Sequence, residues 1–423
     1  MKVNLKQKKG ITLIALVVTI VVLLILAGIS IRTVFSDDGV ISKSKDAKTN
    51  TEYATLEDRV DLAIADAKSK NINPTIDNII TELINEGVIT DATQVNTETG
   101  EITTNDPSYK ITGKLDQYIV KKVDLSTITG YETTNTETTD KLDNKVVVPA
   151  GFKVVNPDDT VEDGIIIEDV NHGDTAGSQF VWIPVGNITK EDGSTVNINL
   201  DRYTFDESTG IEHGQGDNTI KEYYGEDDCQ ETTSSSGNTV AKNIGTFKSK
   251  VEVSKGFYIA RYEARDGNVT EARTNSSNDG NQLVITNDNF VYNFVTQTQA
   301  ADLSRNMYSD GNFTSDLVNS YAWDTALSFI QKCSNVDNYS QQISSNMGTF
   351  AEKGTNSDSI CNIYDMASNC QEWSTETCLN DAYPAIIRGG AYLDNEQYFA
   401  STRYTNSYSF SEEFYSFRPI LYL

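Results

Sequence analysis

Residues 11–31 carry no charged side chain; they are Ile, Leu, Val, Ala, Gly, Ser and Thr throughout, for 21 residues. A helix needs about 20 such residues to cross a hydrocarbon core, where each backbone polar group must be satisfied within the helix itself. Lys2, Lys6, Lys8 and Lys9 precede the run. The positive-inside bias then holds the N-terminus in the cytoplasm and places everything after Arg32 outside. The run exceeds the about 7–15 apolar residues of a cleaved secretory signal. A plain signal-anchor is therefore one reading.

The rest of the chain has the opposite character. Of 423 residues, 61 are acidic and 34 basic, for a net charge of −27. Nucleic-acid phosphates need Lys/Arg stripes, so this surface argues against nucleic acid. It argues equally against broad docking on anionic lipid. The length suggests two or three domains, and the apolar fraction is too high for wholesale disorder.

After the span, Tyr53, Leu56, Val60 and Ile64 recur at steps of three and four, flanked by Ala63 and Ala67. That spacing predicts a helix with one apolar stripe. A second helix should start at Pro74-Thr75, run through Ile76, Ile79, Ile80, Leu83 and Ile84, and stop at Gly87. Strand-like runs follow at 101–104 and 118–123. Together 36–124 reads as a small helical or α/β stalk. Residues 125–145 are rich in Thr, Asn and Asp without apolar periodicity and read as a linker. The polar tract 225–239 reads as a surface insertion. No repeat of fixed period is present.

Lys8-Lys9-Gly10-Ile11-Thr12-Leu13-Ile14 resembles the type IV prepilin leader. That resemblance implies a leader at 1–10, cleavage between Gly10 and Ile11 by a prepilin peptidase, methylation of the new N-terminus, and a retained membrane helix at 11–35. One position departs from the pattern. Pilins usually carry Glu at the fifth mature position, where this chain has Ala15.

From Val146 onward, short apolar runs alternate with Gly and turn residues. The blocks are Val146-Val147-Val148-Pro149-Ala150-Gly151-Phe152, Phe180-Val181-Trp182-Ile183-Pro184, Gly256-Phe257-Tyr258-Ile259 and a helix-spaced Tyr321-Ala322-Trp323-Asp324. Then come Tyr364-Asp365-Met366-Ala367-Ser368-Asn369-Cys370-Gln371-Glu372-Trp373, Arg388-Gly389-Gly390 and Phe417-Arg418. In this order they resemble the landmarks of the sulfatase-modifying-factor family, which includes formylglycine-generating enzymes. The resemblance implies a C-type-lectin-like α+β domain over 146–423, with Trp and Arg landmarks that are structural.

The family's copper chemistry rests on two thiolates shortly after Arg-Gly-Gly, since soft ligands suit Cu(I). The matching positions here are Asp394 and Phe399, so no copper is expected. A second branch holds iron with several His. This chain has only His172 and His213, so no iron is expected either. The family also holds Ca²⁺ in the block ending Glu-Trp. Carried over, the ligands would be Asp365 and Glu372 through carboxylates, and Ser368 and Cys370 through carbonyls, a hard-oxygen set of the kind Ca²⁺ takes. The plain alternative is that Asp365 and Glu372 only hydrogen-bond the turn. The cysteines at 229, 333, 361, 370 and 378 match no zinc spacing. Outside the cytoplasm they suggest one or two bridges, with pairing open.

The last forty residues are crowded with Tyr, Phe, Ser and Asn, a mixture that suits adaptable binding surfaces. Tyr398, Tyr404, Asn406, Tyr408 and Phe410 are the candidate binding residues. In lectin-like domains diversified by retroelements, this stretch is the variable face. The sequence thus points to a membrane-anchored or pilus-associated bacterial surface protein. Its non-catalytic ectodomain would bind an extracellular protein or glycan. An active metal-dependent oxidase or oxygenase of the same family and a minor pilin are the rival readings.

Overall fold

The Thr75 side chain accepts the Asn78 N–H at 3.3 Å, and Asn78 Oδ1 accepts the Thr75 N–H at 3.0 Å. This reciprocal cap starts helix α2 (Ile76–Asn85) where the sequence places it. It belongs to a computed structural model that describes residues 40–423 except 72–73, 108, 116, 118–122, 129, 226, 232–240, 243, 277–281, 310, 354–357 and 395, with only the backbone for 40–50, 123–124 and 127. Gly10, Ile11, Ala15 and the whole 11–35 span therefore lie outside the described residues, as does most of the 118–123 run. Among the described residues no helix is long and apolar enough to cross a membrane.

The chain divides into two compact units at residues 121 and 122. In the first, helix α1 (Val40–Lys70) lays the stripe Val60, Ala63, Ile64 and Ala67 against Ile79, Ile80 and Leu83 of α2. Gly87, at φ +64°, turns the chain out of α2. A short hairpin, Ile102–Thr103 with Lys110–Ile111, adds Ile102 and Ile111 to that core.

The second unit is mixed α+β and mostly strand. Two large sheets contain β1 (Phe152–Val154), β2 (Ile166–Asp169), β3 (Gln179–Pro184), β4 (Ile220–Lys221), β5 (Asp228–Gln230) and β6 (Gly256–Ala260). They also contain β7 (Thr314–Leu317), β8 (Gln371–Cys378), β9 (Ala385–Arg388), β10 (Arg403–Asn406), β11 (Tyr415–Phe417) and β12 (Pro419–Tyr422). One sheet runs β7-β12-β6-β3-β2-β1 and is antiparallel throughout. The other runs β4-β5-β8-β9-β10, with β11 parallel to β8. Helices α3 (Ile244–Ser254), α4 (Gln297–Asn306) and α5 (Ser320–Cys333) complete the unit.

Asn319 caps α5 by accepting the Ala322 N–H at 2.9 Å. The helix is buried along nearly its whole length and packs against strands of both sheets. All three tryptophans are fully buried, and each indole N–H donates to a backbone carbonyl. Trp182 reaches Lys145 at 3.0 Å, Trp323 reaches Ala400 at 2.9 Å and Trp373 reaches Val295 at 2.8 Å. Their large apolar bodies thus enter the core without an orphaned donor.

One expectation changes. Within 125–145, read as a linker, Thr136–Thr139 pairs antiparallel with Lys145–Val148, and Leu125 and Ile128 enter the core. The strand is polar because its apolar support comes from its partner. The cysteines, for which one or two bridges are expected, all stand as free thiols in this structure, four of them buried.

Candidate binding face

Strands β4 and β5 form a hairpin whose turn is Glu222-Tyr223-Tyr224-Gly225, closed by the Gly225 N–H on the Glu222 carbonyl at 2.9 Å. Gly225 has φ +75°, a conformation cheap only for glycine. The Tyr223 N–H donates to the Arg403 carbonyl at 2.7 Å, which fixes the turn against β10. Four tyrosines meet there. Tyr223 lies 5.0 Å from Tyr224 and 5.6 Å from Tyr398, ring centre to ring centre. Tyr404 lies 5.9 Å from Tyr224 and 5.5 Å from Tyr398, both edge to face. These separations fall in the favourable range for aromatic pairs. Tyr224 is 57% exposed, so the cluster faces solvent. Burial, then the Tyr224 hydroxyl, pushes the Tyr398 phenol up; burial does the same for Tyr404. Both hydroxyls stay protonated at neutral pH and remain donors.

The structure thus brings Tyr398 and Tyr404 together. Asn406 is not on the surface: it is buried, and its amide donates to the Tyr415 hydroxyl at 2.5 Å. Tyr408 and Phe410 are exposed on the β10–β11 connection, without ring contact with the four tyrosines. Tyr223 and Tyr224 escape the sequence reading, although two tyrosines before a glycine in polar surroundings mark an exposed turn.

The face stands on a rigid base. Beneath Tyr404, Arg403 is buried with Arg202 and Arg388 around Glu376 and Asp324. Arg202 Nη2 meets Glu376 at 2.5 Å, Arg388 Nη2 meets Asp324 at 2.6 Å, and Arg403 Nε meets Glu376 at 2.9 Å. Arg403 also pairs with Asp324. Burial opposes the Glu376 charge, but Arg403, Arg202 and Arg388 outweigh it and hold its carboxyl down at about 2. Breaking such a buried network leaves an uncompensated charge, so its parts hold one geometry.

The positions matched to a Ca²⁺ site lie elsewhere in the same unit. Glu372 gives both carboxylate oxygens to Arg418, at 2.6 and 2.9 Å. The Cys370 N–H donates to Glu263 at 2.8 Å, and the Ser368 hydroxyl donates to Asp358 at 3.0 Å. Asp365 is buried in this neighbourhood. Glu372, one of the two matched carboxylates, is thus committed to a guanidinium. Among the described residues no group of three or more His, Cys, Asp or Glu is placed to hold a metal ion.

At the positions matched to the copper thiolates, the Asp394 carboxylate accepts the Ala391 N–H, and the Phe399 N–H donates to Thr402 Oγ1 at 2.7 Å. His172 Nδ1 lies 2.8 Å from Asp169, whereas His213 sits on a separate two-stranded hairpin. His172 also borders a cleft of about 770 Å³, with Asp174, Gln282, Gln299, Asp302 and Asn306. Its walls mix these polar groups with Leu283, Leu303 and Met307, and none of its lining residues is Tyr, Trp or Phe, the aromatic anchors of protein recognition.

No protein-family model and no curated protein matches the chain. Among solved structures, the chain is similar to CarF, at 16% identity over 40% of this chain and 87% of that one, with a TM-score of 0.28. It is similar to PvdO from Pseudomonas aeruginosa, at 12% identity over 59% and 96%, TM-score 0.30. It is also similar to Treponema denticola variable protein 1, at 10% identity over 59% and 97%, TM-score 0.31. At these identities and TM-scores the likeness says nothing further about this chain.

Proposed function

We propose that this chain is a non-catalytic binding protein displayed on a bacterial surface, and that its tyrosine face holds an extracellular protein. The carrying observation is the exposed cluster of Tyr223, Tyr224, Tyr398 and Tyr404 on a buried ionic base. Tyr supplies rigid amphipathic area at little entropic cost, so such a cluster on a fixed scaffold is economical for recognition. Tyr383, also exposed and near Tyr404, extends this area and favours a protein over a small glycan. The basic leader and uncharged span support display: cleavage after Gly10 would leave a membrane helix starting at Ile11. Ala15 favours a membrane anchor or minor subunit over a major pilin.

The test is binding of the full chain to arrayed extracellular protein domains and glycans, with wild type and the Tyr224→Ser/Tyr404→Ser double variant compared at matched Tm. Binding to protein spots that the double variant loses supports the reading. Binding confined to glycans replaces the protein by a glycan, and unchanged binding by the variant removes the face.

A further inference from the structure

Cys229 on β5 and Cys378 on β8 stand directly opposite each other in an antiparallel pair. The adjoining pair is the hydrogen-bonded one, since the Leu379 N–H donates to the Asp228 carbonyl at 3.0 Å. The Cys378 N–H turns the other way and donates to the Pro384 carbonyl at 2.9 Å. Cys229 and Cys378 therefore occupy a non-hydrogen-bonded site, where opposed Cα atoms lie about 4.5 Å apart and the side chains share a face. That spacing falls within the about 4.4–6.8 Å that a disulfide spans. Both side chains pack in one small buried cluster with Ile386.

We infer that Cys229 and Cys378 form a cross-strand disulfide when the chain folds under oxidising conditions. The oxidant is a disulfide such as oxidised glutathione. One cysteine thiolate attacks a glutathione sulfur and expels one glutathione thiolate. The second cysteine attacks the resulting mixed disulfide, forming the Sγ–Sγ bond and expelling the other. Two electrons pass to the oxidant, and two protons leave the cysteines.

Timing follows from burial. Burial pushes the Cys378 thiol up to about 11 and raises Cys229 further, so few thiolates exist once the sheet is closed. The bond therefore forms during folding and then resists exchange. Its position matters because the β4–β5 hairpin joins β8 over a short register, Cys229↔Cys378 and Gln230↔Thr377 with the Leu379–Asp228 hydrogen bond beside them. A bridge there clamps the hairpin that carries Tyr223 and Tyr224. The disulfide itself does not depend on what the tyrosines bind.

The experiment is non-reducing peptide mapping of the full chain, alkylated after refolding in oxidised glutathione, and in parallel of full chain produced in an oxidising compartment without refolding. The expected result is one linked peptide pair containing Cys229 and Cys378, with Cys370 alkylated. Reduction should lower Tm by about 5–10 °C, a difference absent in Cys229→Ser and in Cys378→Ser. Recovery of Cys229 and Cys378 as alkylated thiols in both preparations, or linkage of Cys229 to another cysteine, overturns the inference.

Discussion

The Tyr224 hydroxyl lies 3.3 Å from the Tyr398 hydroxyl, joining segments 174 residues apart in the chain. The contact exists because the Tyr223 N–H binds the Arg403 carbonyl and so registers the hairpin turn on β10. Tyr224 is mostly exposed, and its truncation removes little core. Tyr224→Ala should therefore leave Tm nearly unchanged while weakening binding of an array-selected protein by about 2 kcal/mol, roughly 30-fold in Kd. Tyr398→Phe keeps the ring and should cost less than about 1.5 kcal/mol. Titration calorimetry on the two variants checks the order.

Glu376 faces Arg202, Arg388 and Arg403, and Asp324 pairs with the last two. Removing its carboxylate leaves buried positive charge unbalanced. Glu376→Ala should lose about 3–5 kcal/mol of stability, read as a lower urea midpoint. A variant as stable as wild type would mean that the network does not hold the base of the face.

Glu231 accepts the Ser320 N–H at 2.9 Å and the Thr375 hydroxyl at 2.6 Å, yet burial and then the Glu376 charge push its carboxyl up to about 7. The folded value lies above the unfolded value of about 4.3, so the folded state binds the extra proton. Its contribution to stability is full below about pH 4 and is lost as pH rises through about 7. Glu231→Gln should therefore be more stable than wild type at about pH 8, by on the order of 1–2 kcal/mol, and the two should converge near pH 5. Glu376 works in the opposite direction: its depressed value stabilises above about pH 4.5 and is lost as pH falls toward 2. Melting curves across pH check both slopes.

Gly389 sits at φ +76°, and a Cβ there would collide with the Met366 carbonyl. Gly389→Ala should destabilise by about 1–3 kcal/mol from backbone strain alone, with more from the collision. Thermal unfolding at fixed pH measures it, and an unchanged Tm would assign the Arg-Gly-Gly block no structural role.

Local pattern made much of this fold legible. The three-and-four spacing from Tyr53 to Ala67 located α1, and Thr75 and Gly87 bracket α2. The Trp182, Trp323 and Trp373 blocks marked buried strands and the central helix because a large apolar residue must find cover. What stayed hidden was pairing across long sequence distance. Nothing near Cys229 announces Cys378, and nothing near Tyr224 announces Tyr404, because register between remote strands leaves no local period. Asn406 was misplaced for a related reason: its partner, the Tyr415 hydroxyl, comes from the next strand and draws it inward. The Glu372–Arg418 pair, 46 residues apart in the chain, was equally invisible in the local sequence.

Hydroxyl-radical footprinting of the full chain, with and without an array-selected protein, reads tyrosine exposure residue by residue. Protection is expected at Tyr223, Tyr224 and Tyr404, with Tyr131, itself 47% exposed, unchanged. Protection of Met307 in the cleft beside His172, with the four tyrosines oxidised as in the free chain, would contradict the tyrosine face as the binding surface.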